Sequence, residues 1–231
     1  MNLLKNIFAA TPGTKNYIAS NDTITFYCDF NEELDIKLIS KYKILIFSDN
    51  ILNKKAFRNS SDALFHELTY FKGSKFNKDV SNLPHTLTHI TFGVYFNQDV
   101  LKLPPSLIYL SFGCGFMKEY NVLSNIKYLK LNCNNPYIIN SLPNSIIELE
   151  TYHNFNLQID NLPTSIKKLV INSANYNEDL NCLPDSIEEL HLNRSYKKRI
   201  LNIPSNLKKI VCHKDYPYIN DFVMIRIETC N

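Results

Sequence analysis

Glu189 and His191 stand two residues apart in the phrase SIEELHL. That spacing puts both side chains on one face of an extended strand, and a carboxylate beside an imidazole is the pairing that general acid–base chemistry uses. No third group completes a catalytic set around them, so the pattern reads first as a surface ion pair. The other histidines, His66, His85, His89, His153 and His213, show no H-E-x-x-H or other ligand spacing, and five glycines in 231 residues make no phosphate-cradling loop. Six cysteines, Cys28, Cys114, Cys133, Cys182, Cys212 and Cys230, lie far apart without a C-x-x-C, which excludes the usual zinc and dithiol redox motifs. They read as reduced thiols; Cys114 and Cys133 fall at the same position of adjacent repeats and are expected to be close yet unbridged. The sequence therefore predicts no enzyme, no metal site and no cofactor.

A net charge of +3 is too mild for a nucleic-acid or acidic-membrane surface, and the one basic run, Lys197, Lys198 and Arg199, is short enough to be a solvated edge. The opening MNLLKNIFAA carries a lone Lys5 inside a short apolar run, poor grammar for a signal peptide, and no stretch approaches the roughly 18 apolar residues of a membrane helix. The expected location is the cytoplasm or another reducing compartment. A chain 45% hydrophobic and 20% charged has the composition of an ordered core-forming protein.

What positions the polar residues is a repeat. FNKDVSNLP (76–84), FNQDVLKLP (96–104) and FNLQIDNLP (155–163) restate one phrase, and Leu-Pro or Ile-Pro pairs begin at Leu83, Leu103, Leu142, Leu162, Leu183 and Ile203, with a degenerate start at Val122. After each start, apolar residues fall as L-x-x-L-x-L: Leu87, Ile90, Phe92; Leu107, Leu110, Phe112; Ile126, Leu129, Leu131; Ile146, Leu149, Thr151; Ile166, Leu169, Ile171; Ile187, Leu190, Leu192; and Leu207, Ile210, Cys212. The closing period of two is a short strand with one face inward. Such a strand cannot survive alone, but one per coil, stacked in parallel, buries a continuous column. The predicted fold is mostly β, a parallel β solenoid of about 20 residues per coil with little or no α-helix on the convex side, where extended or 3₁₀ segments are expected.

The Pro suits a corner, and Thr86, Ser106, Ser145, Ser165 and Ser186 two residues later are expected to hydrogen-bond locally there, so Leu-Pro-x-Ser is no serine nucleophile. Phe96, Phe116, Phe155, Tyr176, Tyr196 and Tyr216 form an aromatic spine, and Asn77, Asn97, Asn156 and Asn177 follow it as an amide ladder. Tyr42, Leu45, Phe47 and then Phe65, Leu68, Tyr70 restate the strand phrase. The domain reading is an N-terminal cap segment over 1–40, a solenoid over 41–216 with degenerate coils at 41–82, and a capping strand over 217–231. TITFYCDF (23–30) and FVMIRI (222–227) are the strand-like pieces of the two caps.

Outward residues of the strands make two columns. One runs Glu67, His89, Tyr109, Tyr128, Glu148, Lys168, Glu189, Lys209; the other runs Thr69, Thr91, Ser111, Lys130, Glu150, Val170, His191, Val211. Solenoids usually meet partners on this concave face. His89, Tyr109, Tyr128 and Lys130 are the candidate partner-binding residues, since rigid amphipathic tyrosines are enriched in hot spots. The alternative for Tyr109 and Tyr128 is a cross-strand stack that only stiffens the sheet, and the alternating charges beyond them read equally as favourable strand neighbours.

The phrase F-N-x-x-[VIL]-x-x-L-P-x-S-[LI]-x-x-L-x-[FL]-G resembles the FNIP repeat, a leucine-rich-repeat relative, over residues 64 to 216, with Val122 and Ile203 its weakest units. The resemblance implies a leucine-rich-repeat-like fold and a non-catalytic module for protein–protein interaction. It also implies a source among amoebae or the large DNA viruses that infect them, and hence a host cytoplasm. Some relatives carry an F-box ahead of the repeats, but residues 1–40 lack its Leu-Pro-x-Glu opening, which weakens a ubiquitin-ligase adaptor reading. A self-associating scaffold is the remaining alternative.

Overall fold

In the computed structural model, which describes residues 16–52, 70–119, 125–153 and 155–230, every Leu-Pro or Ile-Pro pair opens a tight turn. The carbonyls of Pro84, Pro104, Pro143, Pro163, Pro184 and Pro204 accept the backbone N–H three residues on, from Leu87, Leu107, Ile146, Ile166, Ile187 and Leu207, at 3.0–3.2 Å. Proline serves here because the bond uses its carbonyl and not the N–H it lacks. Each donor is also the first inward residue of its coil and is buried, so the turn aims the chain at the core. The sequence predicts local hydrogen bonds for the hydroxyls of Ser106, Ser145 and Ser186, but they reach out of their own coil. They donate to the carbonyls of Leu87, Ile126 and Ile166 in the preceding coil at 2.7, 2.8 and 2.8 Å. The turn already uses its own carbonyl, whereas those three lie one residue ahead of the acceptors Thr88, Lys127 and Lys167 that begin each ladder.

Among the described residues, eleven strands form the main sheet: β1 (Tyr17–Ser20), β2 (Thr23–Phe26), β3 (Ile44–Phe47), β6 (His89–Thr91), β7 (Tyr109–Phe112), β8 (Tyr128–Leu131), β9 (Glu148–Thr151), β10 (Lys168–Ile171), β11 (Glu189–His191), β12 (Lys209–His213) and β13 (Arg226–Cys230). They lie in that order, parallel throughout except for the β1–β2 hairpin. A separate antiparallel ribbon joins β4 (Asn50–Leu52) to β5 (Tyr70–Lys72).

That ribbon corrects one expectation. Tyr70 belongs to β5 and not to the main sheet, where β3 pairs directly with β6. Phe65 and Leu68 lie outside the described residues, as does Val122. Among the described residues of 41–82, one strand, β3, joins the main sheet, and β4 and β5 form a ribbon apart from it. The rings show why: Phe47 and Phe76 stack at 3.8 Å and 7°, as Phe92 and Phe96 do at 3.8 Å and 7° only four residues apart. Phe76 therefore resumes the coil that β3 began. Asp49 closes the base of the ribbon, its Oδ1 accepting the N–H of Ser74 at 2.5 Å and of Val94 at 3.1 Å. A Cβ on Gly93 would lie 2.3 Å from the Ser74 Cβ and 2.8 Å from that Oδ1, so only glycine admits the clamp.

A second turn follows every strand of the repeat except β8. The carbonyls of Gly93, Gly113, Tyr152, Ser173, Asn193 and His213 accept the N–H of Phe96, Phe116, Phe155, Tyr176, Tyr196 and Tyr216 at 2.9–3.4 Å, which drives the aromatic side chains inward. All six are 0–3% exposed. In the first half the spine is double, because Phe92 and Phe112 stack against Phe96 and Phe116 at 3.8 and 4.0 Å, while successive coils repeat at 5.8–6.1 Å. Such offset aromatic packing adds to simple burial.

On the return side most coils are extended, and one, α2 (Pro136–Ile139), is a single α turn and not 3₁₀; α1 (Ile36–Ile39) is a second such turn near the N-terminal end. Asn135 caps α2 by accepting the Tyr137 N–H at 3.0 Å, and Pro136 occupies the position where a missing N–H is harmless. At the C-terminal end Phe222 is buried at 3%, but Ile227, expected to face the core, is 40% exposed. No strand among the described residues lies beyond β13 to cover it.

Candidate interaction face

The register of the sheet fixes which outward side chains are neighbours. Cα partners run His89, Tyr109, Tyr128, Glu148, Lys168, Glu189, Lys209 and Arg226 in one row, and Thr91, Ser111, Lys130, Glu150, Val170, His191, Val211 and Glu228 in the other. Glu67 and Thr69, expected to head these columns, lie outside the described residues; Ile44 and Ile46 of β3 occupy the places before His89 and Thr91.

The four candidate residues sit together at the β6–β8 end, and they differ in how far they are committed to the protein itself. His89 stacks on Tyr109, with centroids 5.7 Å apart and rings 23° from parallel, and its Nδ1 lies 2.8 Å from the Thr88 hydroxyl. Partial burial pulls the His89 pKa down, so the ring is neutral at pH 7. Burial pushes the Tyr109 phenol up, against the Ser111 and Thr91 hydroxyls beside it, and the Glu150 and Glu148 carboxylates add to the rise. Tyr128 is the open member, 40% exposed.

Lys130 belongs to a cluster that the sequence reading missed. Its Nζ sits 3.8 Å from the centroid of the Tyr152 ring and 3.7 Å from Glu150 Oε2, while the Tyr152 hydroxyl donates to Glu150 Oε1. Burial and that carboxylate together push the Tyr152 phenol up to about 12, so it stays a protonated donor. Counting in twos from Glu148 and Glu150 leads on to Tyr152, but Tyr152 lies just past β9, so the alternation did not fix its direction.

Towards β13 the face carries paired charge. Lys168 meets Glu148 at 2.9 Å, Lys209 bridges Glu189 at 3.2 Å and Glu228 at 2.9 Å, and His191 contacts Glu189. A second ladder, Lys167–Glu188 at 3.1 Å and Lys208–Glu188 at 2.6 Å, runs beside it. The Glu189–His191 pair thus sits inside an ion-pair network, with Lys209 on the same carboxylate oxygen. Among the described residues no group of three or more His, Cys, Asp or Glu is placed to hold a metal ion, and no helix is long and apolar enough to cross a membrane. Cys114 and Cys133 are not bridged; burial holds the Cys133 thiol at about 12, with Cys114 close enough to add to the rise.

The repeat-family match agrees with this architecture. The family described as FNIP Repeat matches residues 70–115, 134–173 and 175–215, leaving out the degenerate unit around Val122. No curated protein matches the chain. Among solved structures, the crystal structure of CroV588, titled a novel circular LRR protein structure, is similar at 21% identity with a TM-score of 0.49, covering 87% of this chain. The match spans 38% of the CroV588 chain.

Proposed function

We infer, since this chain belongs to the FNIP repeat family, that it is a non-catalytic module which binds a protein partner through the outward face of its sheet. The observation that carries this reading is the row His89, Tyr109, Tyr128, held in register by three parallel strands with Tyr128 40% exposed at its open end. A rigid tyrosine on a fixed backbone loses little entropy on binding and offers both apolar area and a hydroxyl. His89 stacks on Tyr109 from one side, and Lys130, on the same strand as Tyr128, is held by Glu150 and Tyr152.

The charge ladders serve a different end. Each cation there already has a carboxylate within 2.6–3.2 Å, so that half of the face has alternating sign and little net field. It suits the rejection of mismatched partners more than tight binding. Neither nucleic acid nor a membrane is the partner in this reading, and six cysteines without a disulfide suit a reducing compartment.

Photo-cross-linking tests the reading. A photoreactive phenylalanine analogue replaces Tyr128 in one bait and Leu201, which is 68% exposed away from the sheet, in another; both are irradiated in lysate of the source organism. Capture of one protein from the Tyr128 position alone supports the face. Equal capture from both positions, or capture only from Leu201, refutes it.

A further inference from the structure

The open edge at β13 has a property that the rest of the face lacks: its sequence is complementary to itself. In the parallel ladder Arg226 donates its N–H to the Lys208 carbonyl, and the Cys230 carbonyl accepts from Lys214. Backbone groups of 226, 228 and 230 therefore turn towards β12, and those of Ile227 and Thr229 turn towards the open side. Among the described residues nothing pairs with that side. Around it stand Val223, Met224 and Ile227, exposed at 74%, 100% and 40%. An unpaired edge of this kind, its two charges Arg226 and Glu228 of opposite sign, is open to pairing with another strand.

We propose that β13 pairs antiparallel with β13 of a second copy of this chain, about a two-fold axis through Ile227. That axis sets Ile227 opposite its symmetry mate, and because Ile227 faces the open side the two exchange N–H···O=C bonds in both directions. Thr229 N–H then reaches the carbonyl of the mate's Ile225. The same axis sets Arg226 opposite the mate's Glu228 and Glu228 opposite the mate's Arg226. This is a non-hydrogen-bonded pair, the geometry in which cross-strand side chains approach most closely.

Charge complementarity is what selects a second copy over another occupant. Within one chain Arg226 Nη2 lies 2.7 Å from Glu228 Oε1, yet Glu228 also serves Lys209 at 2.9 Å, and the Arg226 side chain remains 74% exposed. The arginine thus has donors to spare for the mate's carboxylate. On the core-side face the two Ile227 side chains cover one another. The opposite edge, β1, reads Tyr-Ile-Ala-Ser and holds no charge with which to specify a mate. The interface is isologous, as two-fold dimers require. It joins two sheets edge to edge with both outward faces on the same side.

Sedimentation velocity on the full chain across the micromolar range tests this, with Glu228→Arg, the swap Arg226→Glu/Glu228→Arg, and Thr229→Pro. The wild type is expected to sediment as a monomer–dimer equilibrium. Glu228→Arg should raise the dimer dissociation constant about tenfold or more, and the swap should restore it. Thr229→Pro removes only an outward N–H, a loss edge strands tolerate, and should give a folded monomer. A wild type that is monomeric at every concentration overturns the proposal. So does dimerisation unchanged in both Glu228→Arg and Thr229→Pro. Neither result bears on partner capture from Tyr128.

Discussion

The backbone N–H of Asn97 donates to the side-chain Oδ1 of Asn77, 2.9 Å away and one coil earlier. Met117 donates in the same way to Asn97 at 3.0 Å, Asn77 to Asn31 at 3.0 Å, and Asn177 to Asn156 at 3.2 Å, so the amide ladder joins coil to coil outside the sheet. Asn77→Ala should cost about 1 kcal/mol and Asn77→Asp, which keeps the acceptor, clearly less. Urea midpoints of the two variants check this; equal losses would mean that the amide acts through packing.

Phe96 lies between Phe76 and Phe116, 6.1 Å from each, and 3.8 Å from Phe92, with no exposed surface. Phe96→Ala should destabilise by about 3–5 kcal/mol, whereas Lys102→Ala, at an exposed position, should stay within about 0.5 kcal/mol. Denaturant unfolding at constant m-value separates them, and similar small shifts would contradict the spine.

Tyr196 and Tyr216 donate their hydroxyls to the carbonyls of Glu178 and Lys198, eighteen residues earlier, at 3.2 and 2.8 Å. Tyr176 ends a coil one residue longer, and its buried hydroxyl meets no protein partner. Tyr196→Phe should cost about 0.5–1.5 kcal/mol, and Tyr176→Phe should be neutral or stabilising by up to about 1 kcal/mol, since it removes a desolvated group. Thermal unfolding of the pair checks the sign.

Burial pushes the Glu189 carboxyl up, but His191 and Lys209 outweigh it and hold its pKa below the ordinary 4.5. Lys208 with Lys167 does the same for Glu188, and Lys209 for Glu228. A folded pKa below the unfolded one gives stability that is present above the ordinary value and is lost as pH falls through the depressed one. The urea midpoint should therefore drop as pH falls through and below the ordinary carboxylate value of 4.5, less steeply in Glu189→Gln and less steeply in high salt. A slope unchanged in Glu189→Gln would remove this carboxylate from the acid transition.

The repeat was legible because its signals are local and periodic: Leu-Pro marks the turn, L-x-x-L-x-L marks the strand, and stacking multiplies both. The ribbon between Phe47 and Phe76 was hidden because Tyr70, which lies in β5, closes a phrase with the spacing of the repeat strands. What joins Phe76 to the coil of β3 is a contact across 29 residues, closed by Asp49. On the face, Tyr109, Tyr128 and Lys130 could be placed by counting in twos, but the hold of Glu150 and Tyr152 on Lys130 could not. Tyr152 falls beyond the strand, where alternation no longer guarantees a direction. The corner serines were seen, yet their acceptors belong to the neighbouring coil, which spacing within one coil does not reveal.

The binding role of the tyrosine row is tested most directly by partner capture with the Tyr109→Ala/Tyr128→Ala double variant, measured together with its melting temperature. Tyr128 is open to solvent and Tyr109 is only partly covered by His89. Loss of the captured partner with little change in melting temperature is expected. A folded double variant that still binds, or one whose melting temperature falls while binding persists, would make the row a structural stack and contradict its binding role.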